Sequence, residues 1–262
     1  MDGHAFSRSG TFFNPLRSAL CPLPSTLLPM PQRLLNKITV ISGATGELGP
    51  AVVQRFLAEG AKVVLFGRNR PRLDELAALA PARVLVLEGD VTNAADVENL
   101  VGTTVRRFGG VDVLVPAAGI RRAASIEECT PDFVSGTFAV NFQGALEVVR
   151  LFQRHLNAGA SIVFLTHTTR SAPRDGLGPF AASKAALASL AKSLAAELAP
   201  RCIRVNCLAP AMLPERADED AATQARRKQQ RALHVAETIL FLASDESAGV
   251  SGQELVVEGP LA

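Results

Sequence analysis

The chain contains no tyrosine and no tryptophan, so any mechanism that draws its proton from a phenol is excluded at the outset. Cysteine is scarce and scattered: Cys21, Cys129, Cys202 and Cys207 include no CxxC pair. Four isolated thiols in 262 residues argue against a disulfide framework and against a zinc site. The histidines His4, His155, His167 and His234 share no ligand spacing either, so no metal is expected. No uninterrupted apolar run approaches the roughly 18 residues that a membrane span needs. Neither sign of charge dominates: 27 basic and 25 acidic side chains leave a formal charge of +2. No nucleic-acid or membrane partner is therefore expected, and the cytoplasm is the expected location. What the chain does have is apolar substance. Hydrophobic residues make up 48% of it and charged ones 20%, enough to bury a large core and to exclude a disordered protein.

Residues 1–33 differ from everything that follows. Pro15, Pro22, Pro24, Pro29 and Pro31 interrupt the stretch, and Asp2 is its sole acid. Arginine and serine without acids faintly resemble an organelle-targeting peptide, but the prolines break any long amphipathic helix. The expected reading is a poorly ordered tail, or a start assigned upstream of a true start at Met30. From Leu34 onward, short apolar runs alternate with helical patterns. Strands are expected at 37–42, 61–66, 83–87, 111–115, 161–165, 203–208 and 254–257. Helices are expected at 48–59, 72–79, 94–108 (capped by Asn93), 131–156, 180–198 and 222–242. Near-continuous apolar strands separated by helices imply a parallel sheet covered on both faces. Residues 34–262 are thus expected to form a single doubly wound α/β domain with a seven-stranded, mostly parallel sheet.

The first strand runs into Ser42-Gly43-Ala44-Thr45-Gly46-Glu47-Leu48-Gly49 and then straight into a helix. Glycines at 43, 46 and 49 suit a tight turn, approach by a pyrophosphate, and close helix–strand packing. The helix N-terminus adds free N–H groups and partial positive charge. A glycine trio alone is weak evidence; placed between the first strand and first helix of an α/β chain it is strong. After the second strand, where an acid would read the ribose 2′-hydroxyl of NAD, this chain has Gly67-Arg68. A guanidinium there can clamp a 2′-phosphate, so NADP(H) is expected rather than NAD(H).

These features, with Gly89-Asp90-Val91, Ala118-Gly119, Val140-Asn141, Ala182-Ser183-Lys184, Ile203-Arg-Val-Asn206, Phe241-Leu-Ala-Ser-Asp245 and Ser251-Gly252-Gln253, resemble the short-chain dehydrogenase/reductase family. The resemblance covers the chain from Leu34 onward. It implies a Rossmann-type fold and an NADP(H)-linked oxidoreductase acting on an alcohol or carbonyl. It implies that Asp90 and Val91 flank the adenine and that Ala118 and Gly119 line the adenosine. Thr45, Glu47, Leu48 and Leu213 complete the cofactor set, Lys184 reaches the nicotinamide ribose, and Asn141 holds a water-linked proton path. It also implies a homodimer or homotetramer formed through the helices expected at 131–156 and 180–198.

The departures are equally informative. The family's usual tyrosine, four residues before the lysine, is Phe180, and its usual serine position falls on His167, between Thr166 and Thr168. The usual paired asparagines are Pro116-Ala117, and the usual Pro-Gly after the sixth strand is Pro210-Ala211. The segment that follows is short, so a reduced substrate lid is expected. A phenyl ring has no proton to give, and general acid help is worth about 10²–10⁴-fold. His167 can serve as acid or base near neutrality, with a neighbouring threonine adding a hydroxyl, or it can be an ordinary loop residue. Lys184 can bind a ribose without catalysing, and Asn141 can simply satisfy backbone groups within a bent helix. The run Arg226 to Arg231 reads as a solvated helix face. Three readings stay open: a reductase, a catalytically silent NADP(H)-binding protein, and a non-redox enzyme using His167 as base. The substrate is not specified.

Overall fold

Each apolar run expected as a strand is one in the computed structural model, which describes residues 32–168, 175–211 and 219–258. The strands are β1 (Ile38–Ser42), β2 (Lys62–Gly67), β3 (Val84–Glu88), β4 (Val111–Pro116), β5 (Leu156–Leu165), β6 (Arg204–Pro210) and β7 (Glu254–Val257). They lie in the order β3-β2-β1-β4-β5-β6-β7, and every neighbouring pair is parallel. The sheet is thus wholly parallel, which requires a crossover over one face or the other between successive strands. The chain order reverses between β1 and β4, the position at which open α/β sheets leave a crevice at their carboxyl ends.

The crossovers are α1 (Gly49–Ala58), α2 (Arg70–Ala77), α3 (Ala94–Phe108), α4 (Pro131–Phe138), α5 (Gly144–Phe152), α6 (Gly178–Leu198) and α7 (Ala221–Ala243). Side chains from α3, α5 and α6, such as Leu100, Val148 and Leu187, form the core on one face of the sheet. Phe56, Leu73 and Ile239 from α1, α2 and α7 form the core on the other. Local chemistry sets the helix starts. Asn93 accepts from the N–H groups of Ala95 and Asp96 at α3, as expected. Asn69 accepts from Arg72 N–H, with Pro71 in the first turn, so α2 begins two residues before the expected 72.

The helix expected over 131–156 is divided. A π-helical segment, Ala139–Gln143, separates α4 from α5, and a 3₁₀ turn ends the run at His155. Leu156 lies four residues after Phe152, at helical spacing, but it begins β5 and pairs with Val111. Gly144 explains how closely α5 approaches its neighbours. A Cβ there would stand 2.6 Å from a methyl of Val91.

The tail and the alternative start at Met30 fall on residues outside the described ones, as does Leu213. Arg33, assigned above to the leading segment, is tied into the fold. Its N–H donates to Glu59 Oε2 at 2.8 Å, and its guanidinium meets Glu59, Glu237 and Glu246. Among the described residues, no helix is long and apolar enough to cross a membrane.

Candidate active site

The crevice begins where β1 ends. Gly43 has φ +72°, and a Cβ on it would stand 2.6 Å from the Ala118 backbone, so the first turn position requires glycine. At Gly49 a Cβ would come within 2.1 Å of the Ala44 carbonyl oxygen, which fixes how tightly α1 folds back on the turn. The N-cap residue of α1, Leu48, makes no side-chain cap bond, so among the described residues the first N–H groups are left to the turn and to whatever binds there. Ser42 Oγ, at the base of this turn, is buried and has no hydrogen-bond partner among the described residues. A glycine cradle, an uncapped helix and an orphaned hydroxyl at the end of β1 fit a dinucleotide pyrophosphate.

From the turn, a cleft of about 460 Å³ runs past the ends of β2 and β3. Arg68 is 69% exposed at its mouth, with Nη1 3.5 Å from Asp90 Oδ2. Burial pushes the Asp90 carboxyl up, but bonds from the Thr92 N–H (2.9 Å) and hydroxyl (2.8 Å), with Arg68 nearby, hold it below its ordinary value. Arg70, Pro71 and the N-terminus of α2 border the same space. Arg70 also bonds Asp74 through Nε at 2.9 Å. Two guanidiniums and a helix N-terminus at the end of β2 suit a phosphate there. Of these, Arg68 was singled out from sequence and Arg70 was not.

A second cleft of about 390 Å³ adjoins the first, sharing Gly43, Gly46, Gly119 and Ile120. Lys184 and Phe180 reach it from α6, and His167 from the end of β5. Lys184 is 6% exposed and its ammonium donates to the Leu165 carbonyl at 2.9 Å. Burial lowers its pKa to about 8. Gly119 makes room for it, since a Cβ there would stand 3.3 Å from Lys184 Nζ and 3.2 Å from Asn141 Oδ1. Asn141 is fully buried in the π segment. Its Oδ1 accepts from Ile120 N–H at 2.8 Å, and its Nδ2 donates to the Ile120 carbonyl at 3.0 Å and to Ser183 Oγ at 3.1 Å. Asn141 therefore satisfies backbone groups, although they belong to the loop after β4 and not to its own helix.

Phe180 lies one helical turn before Lys184, 6% exposed, with its ring edge-on to the His167 imidazole at 5.2 Å. The count of thirteen residues back from Phe180 thus reaches a side chain that does meet it. Thr166 offers no substrate hydroxyl. It is buried, and its Oγ1 lies 3.2 Å from the Leu208 carbonyl and 2.7 Å from Glu254 Oε1. Burial pushes the Cys207 thiol up to about 12, so it stays protonated and supplies no nucleophile.

One expectation is overturned. The run Arg226 to Arg231 is a solvated face only in part: Arg226 and Lys228 are exposed. Arg227 turns in toward Glu219 at 2.5 Å, and Arg231, whose side chain is 11% exposed, reaches the second cleft and bonds Glu47 at 3.0 Å. The usable signal was helical spacing. Arg227 and Arg231 sit eight and four residues before the buried Val235, on the stripe of α7 that faces inward. Arg121, on the loop after β4, lines the same cleft and was not singled out. Among the described residues, no three His, Cys, Asp or Glu side chains gather as a metal site.

Comparison with known proteins agrees with this architecture. A family model described as enoyl-(acyl carrier protein) reductase matches residues 43–261. Human dehydrogenase/reductase SDR family member 4 is 30% identical over 243 residues, covering 86% of this chain and 87% of the relative. The 3-oxoacyl-(acyl-carrier-protein) reductase of Thermotoga maritima is 33% identical over 243 residues, covering 87% of this chain and 99% of the relative. A short-chain dehydrogenase from Burkholderia cenocepacia, solved in complex with NADP, superimposes with a TM-score of 0.78 at 30% identity, covering 87% of this chain and 98% of that one. With the glycine turn, the seven-stranded parallel sheet and the buried Lys184–Asn141 pair in place, the chain belongs to the short-chain dehydrogenase/reductase family.

Proposed function

We propose that the protein is an NADP(H)-linked oxidoreductase acting on an alcohol or carbonyl, with a proton route unlike that of its family. One observation carries the reading. The glycine turn, Arg68 and Lys184 border adjoining clefts that share Gly43, Gly46 and Gly119. The turn and the α1 N-terminus would hold the pyrophosphate, with Arg68 and Arg70 at the 2′-phosphate, Asp90 and Val91 beside the adenine, and Lys184 at the nicotinamide ribose. The bound cofactor supplies a hydride. This chain's residues orient it and manage the proton. Phe180 can give none; His167, 5.2 Å from its ring, and Lys184, one helical turn on, are the titratable groups beside it that would manage the proton. That NADP was captured in the Burkholderia cenocepacia relative supports the choice of cofactor. A homodimer or homotetramer built through α6 fits the exposed side of that helix, where the small residues Ala182, Ala185, Ser189 and Ala196 are left uncovered.

A second reading has its own support. Phe180 packs edge-on against His167 at the position where the family resemblance implies a tyrosine, and a phenyl ring there favours a binding protein that senses NADP(H) without turning it over. Calorimetric titration with NADPH and NADH tests the cofactor assignment: NADPH is expected to bind at least tenfold tighter, and equal affinities overturn it. Carbonyl reduction by the NADPH complex, followed at 340 nm over a panel of aldehydes and ketones, separates the enzyme from the silent binder.

A further inference from the structure

The second cleft is unevenly charged. Its described lining holds Arg121, Lys184 and Arg231 against one carboxylate, Glu47, which is 58% exposed. Leu48, Ile120, Leu165, Phe180 and Pro210 make up much of the remainder. The Lys184 ammonium is already bonded to the Leu165 carbonyl. The two arginines are left.

Arg231 is the telling one, because other buried arginines of this protein are better supplied. Arg33, 13% exposed, meets the carboxylates of Glu59, Glu237 and Glu246. Arg204, on β6, donates to the carbonyls of Leu242 and Ser244 and to the Ser247 hydroxyl. Arg231 is buried to a similar degree, yet among the described residues it bonds only Glu47; its Nε, like that of Arg33, has no partner. Burial lowers its pKa, Glu47 partly offsets this, and the neighbouring Arg121 lowers it further. A guanidinium does not escape by losing its proton. A cation held out of water beside a like charge, with one half-exposed acid for company, is a standing demand for a second anion.

We propose that this cleft is an oxyanion site and that the substrate carries a carboxylate or phosphate, held between Arg121 and Arg231 with its reacting carbon directed toward His167 and Lys184. The inference rests on the NADP(H)-linked reading for the meaning of "substrate", but the anion site itself does not depend on it. The planar guanidinium forks suit a carboxylate or phosphate in bidentate contact. The apolar lining would cover the carbon skeleton between the anionic group and the reacting carbon. The same oxyanion chemistry could be met by the cofactor's own diphosphate, since Glu47 lies on the glycine turn, and the experiment must separate the two sources.

The full chain, saturated with NADPH so that the 2′-phosphate and diphosphate positions are filled, is titrated calorimetrically with inorganic phosphate. Saturable binding is expected. Arg121→Gln and Arg231→Gln are each expected to weaken it at least tenfold while NADPH affinity changes less than threefold. Arg226→Gln, on the exposed side of α7, is expected to leave both unchanged. Should Arg231→Gln fail to fold, Arg231→Lys keeps the charge and loses the fork, and a three- to tenfold weakening is expected. Phosphate and NADPH binding in strict competition would assign the arginines to the cofactor's diphosphate and overturn the proposal. So would no saturable phosphate binding, or unaltered binding by both arginine variants. A chain that takes no NADPH would instead overturn the cofactor reading. Phosphate titration of the apo protein in an Arg68→Ala background would then still decide the anion site.

Discussion

The two ends of the crevice have been kept to different standards. At the proposed adenine end, Gly43, Gly49, Arg68 and Asp90 match what the family resemblance implies, and each proposed role is carried by backbone shape, a helix terminus or a charge. At the proposed nicotinamide end, Lys184 and Asn141 are present, but Phe180 and His167 stand where the family resemblance implies a tyrosine and a serine. Binding is distributed over many weak contacts, so the loss of one is tolerable. Proton transfer passes through one atom, and its loss is felt in full. On the proposed reading, the fold keeps its cofactor-binding half while the proton chemistry at the other end is changed. The variants below test that division from the largest expected effect downward.

Phe180→Tyr strikes the division at its sharpest point. The new hydroxyl would sit one helical turn before Lys184 and beside His167. NADPH-dependent reduction of an accepted carbonyl is expected to rise by about 10²–10⁴-fold, the usual value of a placed general acid. NADPH affinity should change little. Unaltered turnover would mean that another feature of this end, not the missing phenol, limits the reaction. His167→Ala in the unsubstituted chain is the companion measurement, and loss of native turnover would make the imidazole the working acid or base.

Asn141 crosses the division, because it joins the loop of Ala118 to Ile120 to α6. Asn141→Ala leaves the Ile120 N–H and carbonyl and the Ser183 hydroxyl without their shared partner. Unfulfilled buried groups of this kind cost roughly 2–4 kcal/mol in sum. Urea denaturation is the check, and a loss below about 1 kcal/mol would show the amide to be dispensable to the fold.

The same contrast governs what could be read from the sequence. The sheet was legible because buried parallel strands are continuous apolar runs, and β7 and α3 were placed to the residue by composition and by the Asn93 cap. The π segment was not, because its residues keep helical spacing and the added turn serves Asn141's long-range bonds to Ile120 and Ser183. Leu156 misled for the same reason, at four residues from Phe152. At the site, Gly43, Arg68, Lys184 and Phe180 could be found by local order along the chain. Helical spacing from Val235 could mark Arg231 as inward-facing, but not that it meets Arg121 and Glu47, because they come together only when α7 crosses the glycine turn, 184 residues after Glu47. Charge runs read as solvated faces hide residues of this kind.

Lys184 makes the cost of the retained half measurable. Burial holds its folded pKa near 8 against an ordinary 10.5, so between those values the unfolded chain binds a proton that the folded chain does not. Stability therefore rises with pH through this window, and below it the full penalty of a buried ammonium is present. From pH 7.5 to 9.5, with no cofactor bound, the gain is about 2 kcal/mol relative to Lys184→Met. The absence of tyrosine keeps the upper part of that range free of phenol titration. Parallel pH profiles for the two proteins would mean that the ammonium is better solvated than its surroundings suggest.

The smallest effect belongs to the adenine end, where no single contact is indispensable. Arg68 is 69% exposed and its link to Asp90 is long, so removing it disturbs nothing folded. Its proposed contribution is a charge-assisted contact to the 2′-phosphate, a group present in NADPH and absent from NADH. Arg68→Ala should weaken NADPH about tenfold and leave NADH within twofold, both read by fluorescence titration. Arg70, at the start of α2, is partly occupied by Asp74. Asp74→Asn releases it toward the same phosphate, and in the Arg68→Ala background it should recover about two- to threefold of the lost NADPH affinity. Equal losses for NADPH and NADH in Arg68→Ala would place the arginine at the shared adenosine and not at the 2′-phosphate. The cofactor preference would then have to arise elsewhere along the end of β2.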